Sequence, residues 1–259
     1  MRIWHQSMTE LHSLGGFKAS LEAHSRKILA PDQILEVHGM PPGTYCGRSP
    51  TAGLSNAFVH HRALDPILDN AIRAEREGID AFVVGSYSEP YLRELRSAVD
   101  IPVISITEAS LFVACSLGKF SAPISNDRAI AWIVRLSIET HGLSSRVMTP
   151  RSITPNLDEH QLVEAFKSPQ GLIRSFTETA QTAIDEGADV IVPAEGVLAE
   201  FLYMNGINRI DSVPVLDSYG VTWAYAAMMA DLHRKTGLTV GRKWHYQRDD
   251  PDLVREIAG

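Results

Sequence analysis

One stretch of this chain occurs twice, and it limits what the chain can fold into. Glu77-Gly78-Ile79-Asp80-Ala81-Phe82-Val83-Val84-Gly85-Ser86 returns as Glu186-Gly187-Ala188-Asp189-Val190-Ile191-Val192-Pro193-Ala194-Glu195. Gly78 answers to Gly187, Asp80 to Asp189 and Ser86 to Glu195, all at one spacing. Each copy reads as a helix end closed by glycine, an aspartate, and a short apolar run that suits a buried strand. A polar residue and a helix start follow each run. A second echo comes after both copies: Ile101-Pro102-Val103-Ile104-Ser105 and Val213-Pro214-Val215-Leu216-Asp217. Two lobes of similar construction are expected, with Ser86 and Glu195 in equivalent places at the carboxyl ends of parallel strands. In open α/β sheets ligands bind at such strand ends.

The rest of the chain fits that frame. Strands are expected over 1–4, 34–38, 102–106, 120–124, 146–149 and 213–216, alternating with helices over 8–29 (continuous or broken near Gly15-Gly16), 64–76, 90–98, 107–117, 126–141, 158–166, 171–185, 197–204 and 221–232. That alternation predicts an α/β fold of two pseudo-symmetric lobes. Each lobe is a mainly parallel sheet flanked by helices, with the active site in the cleft between them. The first lobe is expected over 1–117, with 218–259 packing back on it, and the second over 118–217. Residues 39–56, with Pro41-Pro42-Gly43, Cys46-Gly47 and Ser49-Pro50, read as a long irregular loop, either a lid or a surface excursion.

A net charge of −7, from 24 basic and 31 acidic residues, does not point to a nucleic-acid partner. Cys46 and Cys115 make no disulfide framework, which suits a reducing cytoplasm. Neither a signal peptide nor a membrane span is expected.

The series of motifs resembles the aspartate/glutamate/hydantoin racemase superfamily, and most closely its hydantoin racemase branch. Asp80 to Pro90 resembles that family's first active-site segment, Pro102 to Ala109 the one after it, and Leu117 to Ser121 the opening of the second lobe. Gly187 to Gly196 resembles the second active-site segment. Pro214 to Asp217 and the Gly237-Leu238-Thr239 to Gly241-Arg242 stretch complete the order. The resemblance implies an enzyme that moves a proton at a carbon beside a carbonyl without a cofactor or metal, using one cysteine from each lobe. It also implies a small-molecule substrate and a homo-oligomer. Here Ser86 and Glu195 stand where the resemblance would put those cysteines.

That pair changes the expected chemistry. A serine hydroxyl needs an activating base at neutral pH, whereas a buried glutamate can do acid–base work. Glu195, Ser86 and His5 are therefore the catalytic candidates. Gln6, Ser7, Tyr87, Ser125, Asn126, Thr149, Arg151, Gly196 and Asp217 are the substrate-binding candidates, as residues at expected strand tips. Both central residues also have plain structural roles open to them: Ser86 as a helix cap and Glu195 as a carboxylate resting on a helix N-terminus. The leading expectation is an isomerase-like enzyme on a small carboxylate or cyclic amide, with Glu195 moving the proton. Racemisation itself is the outcome these two residues favour least. A hydrolase or decarboxylase on the same scaffold, a metal enzyme using His5, His60 or His61 with Glu195, and a ligand-binding protein without turnover stay open. His60 and His61, adjacent in a segment read as extended, would point opposite ways, and a surface or interface role is expected for them.

Overall fold

The computed structural model describes residues 1–247 and 250–257. It contains two separate parallel sheets. The first has the order β2-β1-β3-β4, built from β1 (Arg2–Ser7), β2 (Ile34–His38), β3 (Ala81–Gly85) and β4 (Val103–Ser105). Helices α1 (Phe17–Ile28), α2 (Pro50–Leu54), α3 (Ala57–Leu64), α4 (Pro66–Arg76), α5 (Leu92–Ala98) and α6 (Ile106–Leu117) connect and flank these strands. The second sheet has the order β6-β5-β7, from β5 (Ser121–Ser125), β6 (Arg151–Ser152) and β7 (Val190–Pro193). Its helices are α7 (Arg128–Thr140), α8 (Glu159–Ala165), α9 (Gln170–Asp185) and α10 (Gly196–Met204). A short antiparallel pair follows, β8 (Arg209–Ile210) with β9 (Val213–Pro214), and Val215 bridges in parallel to Ile191. Helix α11 (Ser218–Thr236) then packs against β3, β4 and α6, and α12 (Pro251–Ile257) ends the described chain.

The repeat has a physical explanation in both copies. α4 and α9 each end at a glycine with positive φ, +73° at Gly78 and +105° at Gly187. The next residue donates back five positions, Ile79 N–H to the Ala74 carbonyl and Ala188 N–H to the Ala183 carbonyl, both at 3.0 Å. This closes the helix in the same way twice. The repeated aspartate then holds the entrance of the neighbouring central strand. Asp80 Oδ2 accepts from Arg2 N–H at 2.6 Å, and Asp189 Oδ2 accepts from Lys119 and Phe120 N–H at 2.8 and 3.1 Å. The apolar runs Ala81–Gly85 and Val190–Pro193 are buried throughout, as strands covered on both faces must be.

Four expected elements differ. The helix expected over 8–29 starts only at Phe17, after a 3-10 turn at Leu11–Ser13, because Gly16 takes a left-handed φ of +82°. β1 runs to Ser7 rather than ending at Trp4, because His5 and Gln6 pair in register with β2 and β3. The 39–56 segment contains α2, capped by Ser49, and α3 follows it, capped by Asn56 Oδ1, which accepts from Phe58 and Val59 N–H at 3.1 Å. The expected strand over 146–149 contributes only a bridge from Val147 to Ser121, and the paired strand there is β6. Among the described residues no helix is long and apolar enough to cross a membrane.

Candidate active site

The carboxyl ends of β3 and β7 open onto one cavity of about 40 Å³. Ser86, two residues from Ser88, follows β3; Glu195 follows β7. Ser7, Thr9, Gly85, Tyr87, Gly196 and Tyr219 line the same space. Thus Glu195, Ser86, Ser7, Tyr87 and Gly196 are brought together, from both sheets.

Glu195 is the N-cap of α10. Its Oε1 accepts from Val197 N–H at 2.9 Å and its Oε2 from Leu198 N–H at 2.7 Å. These bonds and the helix dipole favour the carboxylate. Burial opposes them more strongly, and the nearby Glu159 adds like charge, so the Glu195 pKa rises to about 8. At neutral pH the group is mostly a carboxylic acid, close enough to its pKa to act in either direction.

Glu159, the first residue of α8, was not legible as a site residue. It sits inside a capping box between Asp158 and Gln161 and reads as a solvated first-turn acid. Instead it is 3% exposed and receives Thr51 twice, from N–H at 3.0 Å and from Oγ1 at 2.7 Å. Burial raises its pKa against those two bonds. Pro50 and Leu54 of α2 also line the cavity. Helix α2 therefore covers the cavity and is fastened to α8 through Glu159. The cavity's free volume is far below the ~300 Å³ at the lower end for small-molecule sites, so a substrate needs the lining, α2 included, to shift.

The remaining candidates lie elsewhere. His5 is inside β1, fully buried, and Trp223 Nε1 donates to its Nδ1 at 3.3 Å. Burial, with a smaller push from His38, lowers its pKa to about 3, so it is a neutral core residue. Gln6 points to the other face of the sheet, where Trp4 Nε1 and Asn70 Nδ2 donate to its Oε1. Ser125 Oγ donates to the Asp127 carbonyl at 2.8 Å, and Asn126 Nδ2 to the Leu157 carbonyl at 2.8 Å. Asn126 Nδ2 also reaches Thr51 Oγ1 at 3.4 Å, which sets it behind the Thr51–Glu159 contact rather than in the cavity. Thr149 lines a surface depression beside Trp132, and Arg151 pairs with Glu186. Asp217 caps α11 through Gly220 N–H and holds His24 Nε2 at 2.9 Å. It lines a different cavity, of about 590 Å³, with His24 and Glu200. His60 lies on α3 and its Nε2 is 3.5 Å from Ser88 Oγ, whereas the His61 ring packs on Tyr91. Among the described residues no group of three or more His, Cys, Asp or Glu side chains is arranged to hold a metal ion.

Residues 19–226 match the family described as Asp/Glu/Hydantoin racemase. The chain belongs to that family. A hydantoin racemase from Pseudomonas sp. (strain NS671) is 24% identical over 186 residues, which is 71% of this chain and 72% of that protein. Among solved structures, allantoin racemase from Klebsiella pneumoniae superposes with a TM-score of 0.75 at 21% identity, covering 96% of this chain and 94% of the other. Arylmalonate decarboxylase superposes with a TM-score of 0.54 at 15% identity, covering 96% and 98%. At these identities the structural likenesses establish the two-lobed α/β fold. As an Asp/Glu/hydantoin racemase family member the chain is an enzyme.

Proposed function

We propose that this family member catalyses cofactor-independent proton transfer at a carbon beside a carbonyl of a small cyclic amide or carboxylate of the hydantoin type, with Glu195 as the acid–base group. The observation that carries this is Glu195 itself, buried in the cavity at the end of β7, with its pKa raised to about 8. Ser86 faces the same cavity from the end of β3 and offers a hydroxyl to the substrate. Tyr219 packs so closely over Gly196 that a Cβ there would collide with its hydroxyl, which keeps the turn beside Glu195 fixed.

The test is NMR in D2O with a panel of 5-substituted hydantoins, amino acids and 2-substituted malonates. Deuterium is expected at one carbon with mass otherwise conserved, and Glu195→Gln is expected to slow its appearance ~10²–10⁴-fold. Exchange that survives the substitution would refute the assignment. Decarboxylation is the second reading, because a carboxyl protonated at neutral pH suits delivery of a proton to a carbanion left by CO2; loss of CO2 from the malonates would identify it. Self-association is supported by Trp132 and Leu136, one turn apart on α7 and both exposed; sedimentation velocity checks it.

A further inference from the structure

Ser86 has a hydroxyl that is inert as a base at neutral pH unless something takes its proton. The structure supplies a path. Ser86 Oγ lies 2.9 Å from Ser88 Oγ, and Ser88 Oγ lies 3.5 Å from His60 Nε2. Ser86 and Ser88 both line the cavity, while His60 stands behind them on α3. Ser88 N–H also donates to Ser86 Oγ at 3.3 Å, which holds the two hydroxyls on one side of a tight turn. The far end of the path is fixed as well. Asn56 caps α3, and the Tyr91 hydroxyl donates to the His61 carbonyl, so the turn carrying His60 is tied to the segment that follows Ser88. His60 is half-buried, and burial together with the neighbouring His61 lowers its pKa, which leaves a neutral ring able to accept a proton.

We propose that Ser86, Ser88 and His60 form a proton relay that makes the β3 side of the cavity a second acid–base end, opposite Glu195. The enzyme then exchanges a proton on both faces of the substrate carbon and inverts its configuration. This rests on the proton transfer proposed for Glu195. In one direction the substrate C–H bond breaks and its proton passes to Ser86 Oγ. The Ser86 proton passes to Ser88 Oγ, and the Ser88 proton to His60 Nε2, forming imidazolium. The electron pair left on carbon delocalises into the adjacent carbonyl, and that carbon takes the proton of the Glu195 carboxyl from the other side. One proton leaves and one arrives, no co-reactant is needed, and the opposite enantiomer runs the same steps in reverse. Ser86 is the group that meets the substrate; Ser88 and His60 act through it.

The experiment follows each pure enantiomer of a 5-substituted hydantoin in D2O with the full chain, reading deuterium at the carbon by NMR and configuration by chiral chromatography. Wild type is expected to convert each hand into the other with deuterium at the new position, above the uncatalysed background. His60→Gln and Ser88→Ala are expected to lose inversion ~100-fold or more. In both variants the hand whose C–H faces Glu195 keeps exchanging with retention. Ser88→Thr, which restores a hydroxyl, keeps inversion. A general loss of folding would remove exchange and inversion together, so the split between them marks the relay. Inversion at the wild-type rate in both His60→Gln and Ser88→Ala overturns the relay. So does a wild type that exchanges one hand with retention and never inverts, a result that leaves Glu195 in its role. Exchange unaffected by Glu195→Gln overturns the Glu195 assignment, and the relay with it.

Discussion

Glu195 is asked to do two opposing things: cap a helix, which wants a carboxylate, and sit buried in the cavity wall, which wants a neutral acid. Burial wins, and the cost appears as a pH dependence of stability. The unfolded chain releases this proton near 4.5, whereas the folded protein keeps it to about 8. Between those values the unfolded state binds fewer protons than the folded one, so this group's contribution to stability falls as pH rises, by up to ~1.4 kcal/mol per unit. Glu195→Gln removes the titration. Its amide also puts an N–H2 against a backbone N–H of Val197 or Leu198, a pH-independent loss of ~1–3 kcal/mol. Urea unfolding at pH 5 and pH 8 is therefore expected to show the variant gaining on wild type at the higher pH, whatever the offset at the lower. A difference that stays constant between the two would mean that Glu195 is ionised in the folded protein.

At the scale of elements, the unit glycine–aspartate–strand–polar tip was legible because each part is local. Gly78 and Gly187 close helices, Asp80 and Asp189 tie neighbouring strands, and Ser86 and Glu195 follow the apolar runs within two residues. Strand tips whose side chains turn into the core, such as His5, could not be told from those facing the cavity, since a strand's length decides which face a residue takes. The α2–α8 contact was illegible for another reason: Thr51 and Glu159 lie far apart in sequence, and Glu159 has the composition of a solvated helix start. The Asn56 cap was the one local signal for α3, and it would have set His60 on a helix rather than in an extended segment. The α2–α8 contact also makes its own prediction. Glu159 raises the Glu195 pKa by like charge, and the two carboxyls titrate as a pair. Glu159→Gln removes that push and leaves only one good acceptor for the two Thr51 donors. The alkaline limb of the Glu195-dependent rate is expected to move to lower pH, with faster opening of α2 seen as weaker amide protection over residues 51–54. An unmoved limb would mean that Glu159 carries no charge felt at Glu195.

Across the whole molecule the two lobes are joined by a half-buried ionic contact that does not touch the cavity. Glu89, in the connection after β3 and at a φ of +48°, reaches His141 at the end of α7 with its two oxygens 2.9 and 2.8 Å from Nε2. His141 Nδ1 lies 3.3 Å from Glu108, which Arg96 also holds. Burial works against a charged His141, but the bond and charge of Glu89 outweigh it, and its pKa is raised above 6.5. A raised histidine pKa stabilises fully below the unfolded value and loses that contribution as pH climbs through the folded one. Other buried and half-buried groups bear on the same curve. His5, neutral in the core down to about 3, makes stability rise with pH up to 6.5. Glu195 makes it fall from 4.5 upward. Between 4.5 and 6.5 the depressed histidines His5, His38 and His60 make stability rise with pH while the raised carboxyls Glu195 and Glu159 make it fall, and above 6.5 the falling contributions of Glu195, His141 and His24 remain. Thermal unfolding of wild type is thus expected to drop from pH 6.5 toward pH 9. Glu89→Gln is expected to cost ~1.5–3 kcal/mol at pH 6, the loss of a hydrogen bond to a charged partner, and less at pH 9, where His141 is losing its proton in either protein. A deficit that grows with pH would contradict a charged His141 and make the contact between the lobes a neutral hydrogen bond.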